Sequence, residues 1–172
     1  NQIVGGGDGA PAARRLAAAG ASGVIVADLT PDEGGPFEAV AAAAGLGVIY
    51  LVAPTTPPDR RRRIAERTTG VVYCVSLVGV TGARARLARG VGRLVRAVQA
   101  DARVPVAVGF GVSRPAHVRD LARLGVDGVI VASALVDALG PEGRDVEALA
   151  RLVGDLRAAT GPVGPVGVRP GS

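Results

Sequence analysis

Five short apolar runs rich in β-branched residues alternate with helical patterns along this chain, and that alternation leaves few folds open. The runs are Val24–Ala27, Gly47–Val52, Val71–Ser76, Val106–Phe110 and Gly128–Ala132. Helical patterns separate them at Phe37–Ala44, Pro58–Arg67, Val91–Ala100 and Pro115–Leu124. Another, Ala10–Ala19, precedes the first run, and a last one covers Val146–Ala159 with Asp145 as its N-cap. Gly20, Gly45, Gly70 and Gly125 each follow a helical pattern, where a helix-ending turn favours glycine. Strands spaced ~24 to ~34 residues apart predict right-handed βαβ units and a parallel sheet.

Two architectures fit. An open doubly wound sheet is complete at five strands. A (β/α)8 barrel takes ~250 residues, so a chain of five β/α units lacks its first three strands. The chain begins at Asn1 and contains no methionine. This favours a missing front, with removal of an initiator as the plainer alternative. Residues 1–160 are expected to form the (partial) barrel or sheet domain, and the Pro/Gly-rich stretch 161–172 a disordered tail.

Three consecutive runs end in small residues: Ser76-Leu77-Val78-Gly79-Val80-Thr81-Gly82, Gly109-Phe110-Gly111 and Ala132-Ser133. On parallel neighbours these ends share one face of the sheet, where bare backbone N–H groups suit a phosphate. Ser133–Leu139 has the pattern of the short extra helix that completes such a site in barrels.

Composition removes several classes. All 20 basic residues are arginine, so the chain itself cannot run P-loop, Schiff-base or lysine-anchored pyridoxal chemistry. The net charge of +5 is compatible with nucleic acid, but no aromatics interleave the arginines, and Arg60–Arg63 reads as a solvated helix face. No apolar run reaches the ~20 residues of a membrane span. Cys74 is the single cysteine, so no disulfide framework exists, and a cytoplasmic location is the expectation.

Side chains able to do chemistry are few. Asp28 is the carboxylate at a strand end, as a structural anchor or a catalytic group. Asp32 and Glu33 are expected in the first turn of the next helix, where acids favour the dipole. His117 is expected to lie exposed on a surface helix. Ser76 and Thr81 have no histidine beside them in sequence, and no His/Cys cluster offers a metal site. A phosphate cradle thus stands without an acid–base pair.

Gly23-Val24-Ile25-Val26-Ala27-Asp28-Leu29, Tyr73–Gly82 with its S-x-x-G-V-T-G segment, Gly109-Phe110-Gly111-Val112-Ser113 and Ala132-Ser133-Ala134 resemble, in order and spacing, the tryptophan synthase alpha subunit family. The resemblance runs from near Asn1 to about Ala159. It implies a (β/α)8 barrel of which this chain is strand four onward. It also implies a lyase that cleaves indole-3-glycerol phosphate to indole and glyceraldehyde 3-phosphate, and a beta-subunit partner carrying pyridoxal phosphate in an alpha2-beta2 assembly. The family's catalytic glutamate and aspartate lie in its N-terminal third and have no counterpart here, so the chain alone is expected to be inactive and to hold no cofactor. Gly82, Gly111, Ala132 and Ser133 match the phosphate-binding positions. Tyr73 and Phe110 match indole-pocket positions, with Ile25, Ala27 and Leu51 as wall residues, and Thr81 matches the threonine of the closing loop, here about 77–89. Ala132 replaces a frequent glycine, and Thr30 and Asp32 depart from the family's D-L-P-x-E-E pattern. Two alternatives stay open: another phosphate-binding barrel of histidine or tryptophan biosynthesis, and a non-catalytic remnant with exposed sheet edges.

Overall fold

A computed structural model describes residues 9–75, 90–109 and 111–161. The elements are α1 (Ala10–Ala18), β1 (Gly23–Ile25), α2 (Gly35–Ala43), β2 (Gly47–Ile49), β3 (Leu51–Val52), α3 (Pro58–Arg67) and β4 (Val72–Val75). They continue as α4 (Val91–Asp101), β5 (Val106–Gly109), α5 (Pro115–Arg123), β6 (Gly128–Val129), α6 (Ser133–Ala138) and α7 (Val146–Ala158).

Sequence predicted one strand over 47–52; the structure divides it at Tyr50 into β2 and β3. The Tyr50 carbonyl still accepts from the Tyr73 amide at 3.1 Å, so the backbone stays in line with β4. The first strand is shorter than expected because Leu29 N–H closes a turn onto the Val26 carbonyl, 3.1 Å away. The last ends at Val129, although Ile130 N–H continues the ladder to Val108 O at 2.9 Å.

All pairings are parallel, and strand order follows chain order, β1-β2 and then β3-β4-β5-β6. A doubly wound sheet reverses direction at a switch point. No reversal occurs among the described strands, and this decides for a singly wound barrel arc. Burial agrees. Val48, Tyr50, Val52, Val72, Cys74, Val106 and Val108 are all 0–2 % exposed beneath the helices. Their alternates Ile49, Leu51, Tyr73 and Val75 are only half-buried, on the face that would line a barrel interior.

The helices start and stop for local reasons. Proline occupies the first turn of α1, α2, α3 and α5, where its missing N–H costs nothing. Asp145 caps α7 by accepting from Ala148 N–H at 2.8 Å, as its position predicts. Gly70 does not end a helix as expected, because α3 closes at Thr68 in extended backbone. It is glycine for space: a Cβ built on Gly70 would lie 3.2 Å from Ile49 Cγ1. The inner sides of α2, α3, α4 and α5 supply Phe37, Ile64, Leu94, Val95, Val98, Val118 and Leu121 to the core, with aliphatic rather than aromatic bulk dominating. Full burial stabilises by about 1.5–3 kcal/mol for each large side chain.

Candidate functional site

Register brings the wall residues onto one face. Ile25 pairs with Ile49, Leu51 with Tyr73, Tyr73 with Ala107, and Ala107 with Gly128. Partners in a parallel ladder point the same way, as do residues two apart along a strand. Ile25, Ile49, Leu51 and Tyr73 therefore share the inward face. Tyr73 lies over β5: a Cβ added to Gly109 would meet its hydroxyl at 2.6 Å and its ring edge at 2.8 Å. Sequence reading treated Gly109 only as a small strand end; its role is to let that ring down. Burial raises the Tyr73 hydroxyl pKa.

Ala27 and Leu51 meet in a cavity of about 340 Å³ at the C-terminal ends of β1 and β3, with Asp28, Thr30, Thr56 and Arg60 around it. Ile25 is 43 % exposed and stands apart from that cavity. Asp28 is exposed in the β1–α2 loop.

Two of the three predicted anion-binding ends are described, and they follow neighbouring strands. Gly111 comes after β5 with φ +75°, a conformation that favours glycine. Ala132 and Ser133 come after β6, as N-cap and first residue of α6. All three are exposed. At the start of α6, Leu135 N–H donates to the Ala132 carbonyl at 2.9 Å, and the N–H groups before it have no intrahelical partner by construction. Gly82, Thr81 and Phe110, and with them the closing loop at 77–89, lie outside the described residues.

Three expectations are corrected. His117 is buried, 4 % exposed, and accepts from Ser113 N–H at 3.3 Å. The reason is its place on the inner side of α5 beside Val118 and Leu121. Asp32 and Glu33 are not in the first turn of α2, which begins at Gly35 with Glu38 as its acid. Asp32 instead pairs with Arg63 at 2.7 Å, and Glu33 accepts from Thr30 Oγ1 at 3.2 Å. The third correction is Gly70, described above.

The arginine run is solvated only in part: Arg62 and Arg63 are exposed as expected, whereas Arg60 lines the cavity at the ends of β1 and β3 and the Arg61 side chain is largely covered. Arg61 pairs with Asp101, Arg62 with Asp59 and Arg63 with Asp32.

Sequence reading missed a network behind the β1–α2 loop. Arg67 Nε and Nη2 hold Glu38 Oε2 at 3.2 and 2.7 Å, and its Nη1 donates to the Pro31 carbonyl. Tyr50 Oη donates to Glu38 Oε1 at 2.6 Å. Burial and that carboxylate both raise the Tyr50 pKa, and the same carboxylate raises that of Arg67. Tyr50 sits on the helix side of the sheet among aliphatic neighbours, so its pattern read as plain core. Only the partnering of its hydroxyl distinguishes it.

Cys74 is buried among valines, which pushes its thiol up to about 12 and leaves it inert. Among the described residues no three His, Cys, Asp or Glu side chains gather as metal ligands. Among them, too, no helix is long and apolar enough to cross a membrane.

Comparison with known proteins agrees with this geometry. The family model described as tryptophan synthase alpha chain matches residues 6–159. The tryptophan synthase alpha chain of Gloeobacter violaceus is 55 % identical over 125 residues, covering 73 % of this chain and 45 % of that protein. That of Methanothermobacter thermautotrophicus is 43 % identical over 152 residues, covering 86 % and 56 %. A structure from a study of mutual activation of the tryptophan synthase a2b2 complex of Pyrococcus furiosus superposes with a TM-score of 0.84 at 38 % identity. The match takes in 92 % of this chain and 64 % of that one. The chain spans about half the length of the curated relatives it matches.

Proposed function

Since the chain belongs to the tryptophan synthase alpha chain family, we propose that the protein it represents is a lyase. Its reaction is retro-aldol cleavage of indole-3-glycerol phosphate to indole and glyceraldehyde 3-phosphate. This chain supplies the binding half of that site. The carrying observation is the shared inward face of Ile25, Leu51 and Tyr73 beside two adjacent strand ends bearing Gly111 and Ser133.

Each group has a physical task. Tyr73, Leu51, Ala27 and Ile25, with Phe110, give the indole ring an apolar wall. Gly111, Ala132 and Ser133, with Gly82, offer backbone N–H groups and one hydroxyl to the phosphate dianion. Thr81 serves the loop that closes over bound substrate and excludes water. The glutamate that handles proton transfer and the aspartate that supports the indole N–H lie in the family's N-terminal third. The chain on its own therefore binds without turning over.

Residues 1–160 act as one barrel portion in a soluble cytoplasmic enzyme; the expected tail, from residue 162 on, lies outside the described residues. The enzyme's partner is a beta subunit in an alpha2-beta2 assembly. That subunit holds pyridoxal phosphate, which a chain with no lysine cannot anchor covalently itself. Other phosphate-binding barrels are not favoured by a family match that runs over residues 6–159.

Two assays test this reading. The 172-residue chain should bind glycerol 3-phosphate and release no indole from indole-3-glycerol phosphate. Gly111→Asp should abolish that binding, by setting a negative charge at the anion and straining the φ +75° backbone. Indole release by the chain overturns the division of labour between its halves. Unchanged binding by Gly111→Asp removes Gly111 from the site.

A further inference from the structure

The buried histidine sits directly behind the loop assigned to the phosphate. His117 belongs to the first turn of α5, whose N-cap is Arg114. The amide it accepts from, Ser113 N–H, lies one residue before that cap. The bond therefore satisfies none of the helix's own open donors and ties the β5–α5 loop to the helix instead. A backbone N–H can only donate, so Nδ1 presents a lone pair and the ring proton resides on Nε2. Along the loop Gly111 is exposed, Val112 is 2 % exposed and Ser113 is exposed again. Gly111 is followed, within two residues, by an apolar plug in the core and a hydrogen bond to a buried ring. Those two attachments restrain the φ +75° turn that turns the Gly111 backbone toward solvent at the strand end.

We propose that His117 is a positioning residue for the anion site: its Nδ1 holds Ser113 N–H and so fixes the Gly111–Ser113 backbone that receives the substrate phosphate. The role in phosphate binding rests on the function proposed above; the role in holding the loop does not. Preorganisation is what is gained, since a loop already in its bound geometry loses less freedom when the anion arrives.

Two variants separate the hydrogen bond from packing. His117→Asn keeps an acceptor oxygen at the same number of bonds from the backbone but fills less space. His117→Leu fills the space better and has no acceptor. Calorimetric titration of the full chain with inorganic phosphate should show His117→Leu binding about tenfold more weakly than wild type, the size of one lost hydrogen bond. His117→Asn should bind more tightly than His117→Leu. The reverse order makes the residue a packing element and overturns the proposal.

Amide exchange at Ser113 reads the loop without any ligand. It should accelerate about tenfold in His117→Leu and recover in His117→Asn. Unchanged exchange in His117→Leu overturns the proposal whatever phosphate does. Accelerated exchange in His117→Leu, together with a wild type that binds no phosphate, keeps the loop-holding role and sinks the anion assignment alone. The wild-type ring needs no variant: nitrogen chemical shifts should report Nδ1 unprotonated and Nε2 protonated at neutral pH. A proton on Nδ1 ends the proposal even if a variant fails to fold.

Discussion

The two faces of this sheet are built from the same kinds of residue and finished to different degrees. Toward the helices, Val52, Val72, Cys74, Val106 and Val108 have no exposed surface. Toward the inside, Ile25 keeps 43 % of its surface, and Ile49, Leu51 and Tyr73 are half-covered. Stability concentrates on the first face, where aliphatic side chains interlock. The second face holds the groups proposed to meet substrate, and its covering is incomplete. The lesson is one of division: packing against helices can be completed within each β/α unit, whereas an inward wall needs the whole ring of strands.

The largest effect that separates the faces should come from Phe37, 1 % exposed between α2 and the sheet. Phe37→Ala should cost about 3–5 kcal/mol in denaturant unfolding, and a loss below ~1.5 would mean the helix-side core is softer than its burial implies. A middle case sits on the inward face where it is packed. Gly109→Ala must push against Tyr73 and against Ile130 Cβ, 2.9 Å from the new methyl. A loss of about 1–3 kcal/mol is expected, reduced in a Tyr73→Ala background; additive losses would show that the ring does not rest there. Smallest should be Ile25→Ser, within about 0.5 kcal/mol of wild type. A loss like that of Phe37→Ala would mean that the inward face is sealed after all.

Much of the architecture was legible from spacing. The bounds of α3 matched the predicted Pro58–Arg67, and Asp145 caps α7 as its position before an apolar run suggested. These features are local, written within a few residues of where they act. What escaped was decided across the fold. The pattern of α5 marked an amphipathic helix, but polarity suggested that His117 faced water; only the packed structure shows it turned inward with a backbone donor to meet. Glu38 and Tyr50 lie on different elements, a helix and a strand break, so the periodicity of neither one shows the bond between them. Gly70 and Gly109 looked like turn or strand-end residues because a sequence does not record which chain passes nearby. Of the proposed site, the residue types and the shared face were readable, since alternation along strands sets both. The order imposed on the β5–α5 loop was not, because it comes from a side chain in the next element.

Strand order without reversal also bears on how the molecule comes into being. Each ladder joins positions only 21 to 34 residues apart, such as Val108 with Val129 and Tyr73 with Ala107. Closing loops of that size costs less entropy than pairing strands from distant parts of a chain. A nascent polypeptide emerging from the ribosome can accordingly add one strand-and-helix unit after another, each newcomer templated by the last strand laid down.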